Sequence, residues 1–133
     1  MAFVLDSSVT LAWLLPDEAN ERTDAIADRL EQENAYVPSI WPLEVGNALM
    51  TALRRKRISH AEFDRCVSAL SALPIEVDTT AGLADVLLIA QRFGLTSYDA
   101  AYLDLAQRRG FALATLDEKL RQACKALKVS ILP

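Results

Sequence analysis

At 133 residues the chain has the length of one domain, 1–133, able to bury roughly 65–70% of its unfolded surface around one apolar core. Its 52% hydrophobic and 24% charged residues, with four Gly and five Pro, exclude a disordered or collagen-like polymer. A net charge of −4 argues, taken alone, against a nucleic-acid partner, because phosphate binding rewards a basic surface.

The opening "MAFVLDSSVTLAWLLP" begins with a short apolar run at 3–6 of the buried-strand kind. Asp6 splits the apolar stretch and no basic residue precedes it, so neither a signal peptide nor a membrane span is expected and a cytoplasmic location is. Residues 17–33 then hold seven acids against Arg22 and Arg29, whereas twelve of the fourteen basic residues fall from Arg54 onward. "AYVP" at 35–38 predicts a second strand, and Pro42 suits the first turn of a helix that closes on "RRKR" at 54–57. Two readings of that run stay open: favourable placement against the negative end of the helix dipole, or a phosphate-contacting patch.

Ser59 with Glu62 forms a capping box for a helix through about Leu73, followed by a strand at "IEV" 75–77. Thr80 is expected to start a helix that Gly94 stops, and Gly110 stops the next one. "FALAT" at 111–115 and "VSIL" at 129–132 complete the strands. Cys66 and Cys124 fall inside helices and are expected to be reduced core or near-core thiols, and no CxxC pattern exists. Strands separated by helical segments imply parallel pairing with crossover helices, hence an α/β fold, a three-layer α/β/α sandwich with a roughly five-stranded parallel sheet.

In open parallel sheets ligands bind beyond the carboxyl ends of the strands, near the point where strand order reverses. Four acids occupy that kind of position: Asp6 ends the first strand, Asp117 follows the fourth, Glu44 is in the first turn after Pro42, and Asp99 lies three residues after Thr96. Each alone could cap a helix N-terminus. Together on one rim they would repel each other unless a cation sat between them, and hard divalent ions take oxygen ligands. In "LTSYDAAYLDLAQRRG" the helical repeat from Asp99 passes Tyr102, Leu103 and Ala106, an inward stripe, whereas Asp104 aligns with Gln107 and Arg108. Asp99 is therefore expected to be the functional acid, and Asp104 a solvated one paired with Arg108. Glu44 shares a polar line with Asn47 and Thr51. Asp78, beside Thr79 and Thr80, and Asp85, which can reach outward toward Arg92, rank lower.

His60, the only histidine, follows the capping Ser59 and reads as surface, and no His–Ser pair, Cys–His pair or zinc set can be assembled. No phosphate-loop, dinucleotide or nucleophile-elbow motif is present. Carboxylates without histidine suit metal-assisted hydrolysis.

"VLDSSV" with Asp6, "PLEVGNAL" with Glu44, "SYDAAYLDLA" with Asp99 and "ATLDEKL" with Asp117 resemble, in order and spacing, the PIN-domain nucleases, specifically the VapC-type ribonuclease toxins of type II toxin–antitoxin systems. The resemblance covers essentially the whole chain. It implies Mg²⁺- or Mn²⁺-dependent cleavage of single-stranded RNA, a homodimer, and inhibition within a hetero-oligomer by a small cognate antitoxin. It also implies that Asp6 and Asp99 are the principal metal ligands, that Asp117 and Glu44 complete the pocket, and that Ser7, Asn47 and Thr115 support it. The family's strand order, 3-2-1-4-5, would put Asp6 and Asp117 beside the switch point and Asp78 away from it. Two other functions remain open on the residues alone. A non-catalytic interaction domain could keep this fold, and a phosphorylation-receiver domain shares its size and acidic pocket but wants paired acids where Ser7 and Ser8 follow Asp6.

Overall fold

Every strand pairing is parallel, and the order across the sheet is β3-β2-β1-β4-β5. The computed structural model describes residues 1–15 and 20–132. Along the chain these form β1 (Ala2–Leu5), α1 (Ser7–Leu14), α2 (Glu21–Arg29), β2 (Asn34–Pro38), α3 (Trp41–Arg54) and α4 (His60–Ser71). There follow β3 (Ile75–Asp78), α5 (Leu83–Phe93), α6 (Ser97–Arg109), β4 (Ala112–Ala114), α7 (Glu118–Leu127) and β5 (Ile131–Leu132). The α/β sandwich expected from the order of elements is the architecture found, with helices on both sides of the sheet. The last strand is shorter than "VSIL" suggested. No helix among the described residues is long and apolar enough to cross a membrane.

β1 is the central strand, and its Phe3, Val4 and Leu5 are fully buried, as a parallel strand covered on both faces requires. The connection from β1 leads to β2 on one side while β4 closes on the other, so strand order reverses between β1 and β4. Asp6 N–H donates to the Ala114 carbonyl at 3.0 Å, which ties the two strand ends together at that crevice.

Helix boundaries follow local chemistry in most places. The Ser59–Glu62 capping box is present in both directions, and Asn20 with Thr23 forms another on α2. Gly94 and Gly110 end α5 and α6 at φ 65° and 68°, a left-handed backbone that a β-carbon disfavours. Thr80 does not start a helix. Its N–H and hydroxyl both donate to Asp78 Oδ1 at 2.8 Å, so the chain stays in a turn and α5 begins only after Gly82. Both cysteines are free thiols, Cys124 buried and Cys66 half-buried, as expected.

α6 departs most from its sequence pattern. It packs on β1, β2 and β4 and against α5 and α7, and Ala100 together with Tyr102 through Ala106 is buried. Asp104, expected in solvent, is 2% exposed. Its pairing with Arg108 is as expected, Nε donating to Oδ2 at 2.8 Å, but the carboxylate is buried while the guanidinium stays partly exposed. Arg108 also donates to Thr80 and faces Asp78, so the three residues lock α6 to the end of β3.

Candidate active site

The acidic pocket is assembled from strand ends and helix starts. Asp6 leaves β1 as the residue before α1, yet its side chain caps no helix N–H. Instead Oδ2 accepts the hydroxyls of Ser8 at 2.6 Å and Thr115 at 2.7 Å, and the residue is 3% exposed. Thr115 Oγ1 in turn accepts the Asp117 N–H at 3.0 Å, so one buried hydroxyl fixes Asp6 relative to the loop that carries Asp117. Asp117 caps α7 through the Leu120 N–H at 2.9 Å. Asp99 occupies the first turn of α6, where Thr96 caps its N–H. Glu44 lies in the first turn of α3, and its Oε1 accepts the Tyr102 hydroxyl at 2.5 Å across 58 residues of sequence.

These carboxylates share one field. Burial pushes the Asp6 carboxyl up to about 6 against the pull of the Ser8 and Thr115 hydrogen bonds, and the charges of Asp99 and Glu44 push the same way. Burial also raises Asp99, with Asp117 and Glu44 adding to it and Lys119 opposing. Burial and the Glu44 hydrogen bond hold the Tyr102 phenol far above its usual range, so it is a permanent donor. All four acids expected at the site thus come together. Asp78 does not join them. Burial pushes its carboxyl up, but Thr80 and Arg108 outweigh that and hold it below the usual range, with Arg109 also close. Asp85 is exposed on α5, and His60 is exposed at the start of α4.

Of the supporting residues, Thr115 bridges two acids as described. Asn47 is exposed on α3 beyond Glu44. Ser7 is the first residue of α1 and faces the Tyr102 hydroxyl rather than Asp6. Of the two serines it is Ser8 whose hydroxyl reaches Asp6, and its Oγ also accepts the Leu116 N–H at 3.1 Å. Sequence reasoning passed over Ser8 and Tyr102. A serine two residues after an aspartate is a common local pairing, and Tyr102 lies one turn past Asp99 on the stripe already identified.

The donor set is all oxygen and negative, which fits a hard divalent cation. Among the described residues no three of these carboxylates already close around one point as a preformed cage. Mg²⁺ does not require that, since it usually keeps several waters and takes one or two carboxylates together with a substrate phosphate.

Residues 3–126 match the model of the PIN domain. The chain belongs to the PIN domain family. Relatives of this PIN domain include Ribonuclease VapC3 of Pyrobaculum aerophilum, 29% identical over an alignment of 131 residues that covers 96% of this chain and 98% of the relative. Among solved structures it is similar to PAE2754 from Pyrobaculum aerophilum, with a TM-score of 0.71 and 26% identity over 92% of this chain and 79% of that one. The fold also matches VapBC2 from Rickettsia felis, solved bound to a DNA fragment from its promoter, with a TM-score of 0.65 and 12% identity over 100% of this chain and 98% of that one.

Proposed function

We propose that this PIN domain is a metal-dependent endoribonuclease that hydrolyses single-stranded RNA and serves as the toxin of a toxin–antitoxin pair. The observation that carries this reading is the convergence of Asp6, Glu44, Asp99 and Asp117 at the β1/β4 crevice, with Asp6 raised to about 6 by burial and by its acidic neighbours. The relatives named as VapC ribonucleases support it.

In this reading the four acids hold Mg²⁺ or Mn²⁺. When bound, the ion offsets their repulsion, polarises a phosphoryl oxygen and lowers the pKa of a bound water. The chain's own part is geometric. Ser8 and Thr115 saturate Asp6 Oδ2 and so fix the direction of the other oxygen. Tyr102 holds Glu44, Thr115 holds the Asp117 loop, and Ser7 supports Tyr102. Asn47 extends the polar wall of the cleft. The chain as a single domain, 1–133, acts in the cytoplasm on this reading.

Two protein partners belong to the same proposal. A small antitoxin with a cationic segment complements the acidic pocket. A second copy of the chain covers the apolar row on α5, where Leu83, Leu87 and Leu88 are 78%, 47% and 66% exposed.

Purified protein freed of co-expressed partners is expected to cleave single-stranded RNA with Mg²⁺ or Mn²⁺ and to stop in EDTA. Undiminished cleavage in EDTA that disappears in His60→Ala would overturn the reading.

A further inference from the structure

A second concentration of charge, opposite in sign, stands away from the acidic pocket. Arg54, Arg55 and Lys56 close α3 and lead toward α4, and all three are exposed. Among the described residues none of the three is in an ion pair. Glu62, close by in sequence, is committed to the Ser59 N–H. The dipole of α3 favours cations in its last turn, which accounts for Arg54 and Arg55. It does not account for Lys56, which stands beyond the helix end in a left-handed backbone at φ 58°. A cleft of about 580 Å³ opens beside this tip, lined by Arg54, Lys56, Ser59 and His60 among others.

The tip is joined to the acidic pocket by one face of α3. At about 100° per residue, Thr51 and Arg55 return to within about 20° of the direction of Glu44, and Arg55 lies roughly 16 Å further along the axis. Asn47 flanks that line and is exposed, and Thr51 is half-exposed. A polar face thus runs from the carboxylates to the cations. A phosphate backbone approaching four acids on a chain of net charge −4 gains nothing from the average charge, and needs its attraction supplied locally.

We propose that the α3–α4 tip is the site that grips the RNA backbone, with the strand running from the acidic pocket along the Glu44–Thr51–Arg55 face to Arg54, Arg55 and Lys56. The tip touches phosphates and carries no base preference. The proposal rests on the ribonuclease reading above.

The test measures binding of a fluorescently labelled single-stranded RNA by anisotropy over a salt series, in an Asp99→Asn background that does not consume the probe. The tip variant combines Arg54→Gln, Arg55→Gln and Lys56→Asn, asparagine being tolerant of the left-handed backbone. The control, Arg22→Gln with Lys125→Gln and Lys128→Asn, removes equal charge elsewhere and includes Lys128, which shares the φ of 58°. The tip variant is expected to bind roughly ten- to a hundredfold more weakly near 0.1 M salt, with a log–log salt slope shallower by about 2, or about 0.7 for each phosphate that is no longer neutralised. Arg55→Gln alone, which leaves the turn untouched, should make the slope shallower by about 0.7. An unchanged slope in both tip variants, or an equal weakening in the control, overturns the inference while leaving the nuclease intact. So does a tip variant that keeps its RNA affinity and instead sheds a co-expressed acidic protein. Failure of the unaltered chain both to bind and to cleave RNA brings down the ribonuclease reading itself.

Discussion

Asp6→Asn separates the stability of the fold from the chemistry of its pocket. The carboxyl is raised from 3.8 to about 6, so in the pH interval between those values the folded protein holds a proton that the unfolded chain has released. Stability contributed by the protonated group is therefore complete below about pH 4 and is lost as pH rises through about 6. At neutral pH the ionised group costs about 3 kcal/mol, taking 1.36 kcal/mol per unit. Asparagine keeps a carbonyl oxygen that can accept both Ser8 and Thr115, which donate to Asp6 Oδ2 in the unaltered chain, and carries no charge. Metal-free Asp6→Asn should accordingly melt higher than the unaltered chain near pH 7, by up to about 10 °C for a chain of this length. The difference should shrink toward zero near pH 4 and narrow when Mg²⁺ is added, because the ion binds the carboxylate and not the amide. RNA cleavage should fall by orders of magnitude. Thermal melts of both proteins in EDTA across this pH range decide the matter. A variant that melts lower near pH 7, or a gap that does not close in acid, would refute the argument that Asp6 is a buried charge without a compensating cation.

Asp99→Asn, which removes a charge that burial and Asp117 have already made unfavourable, should abolish cleavage and raise the metal-free melting temperature, read by RNA gel assay and thermal melt. Asp104→Asn should do the reverse. It loses a charge-assisted hydrogen bond from the partly exposed Arg108 to a buried carboxylate, worth about 1.5–3 kcal/mol, and should leave cleavage per folded molecule unchanged in the same two assays. Tyr102→Phe removes the donor to Glu44 and should cost about 1 kcal/mol in urea unfolding while raising the Mg²⁺ concentration needed for half-maximal cleavage. An unshifted Mg²⁺ requirement would show that Glu44 holds its place without the phenol.

The four acids were legible because their positions follow from local signals: a carboxylate ending an apolar run, or in the first turn behind a threonine or proline, needs no tertiary knowledge to place on the rim of a parallel sheet. Asp104 was not legible for a related reason. The pattern of one helix separates an inward stripe from the rest, but it does not show that the rest is covered too, and α6 is enclosed by β1, β2, β4, α5 and α7. Thr80 failed as a helix start because its capping groups were already taken by Asp78, two residues upstream. Tyr102 was visible as an inward residue, whereas its bond to Glu44 spans 58 positions and exists only after α3 and α6 have packed.

The way this chain distributes its polar groups bears on why the pocket stays acidic. Cations near the rim are turned to other uses: Arg121 donates to the Thr115 carbonyl, Lys119 to the Gly94 carbonyl, and Arg108 to Asp104 and Thr80. Arg109 stacks on Tyr36 and Phe111. Asp6 and Glu44 are held instead by hydroxyls, from Ser8, Thr115 and Tyr102, and Asp117 by the Leu120 N–H. A hydroxyl fixes the direction of a carboxylate without cancelling its charge, whereas a guanidinium would do both and leave nothing for a ligand to gain. The arrangement costs the metal-free fold stability at Asp6, and on the proposed reading that cost is what a bound divalent ion would relieve. The same logic places the RNA-facing cations at the α3–α4 tip, roughly 16 Å from Glu44 along the helix, where they can attract phosphate without neutralising the carboxylates.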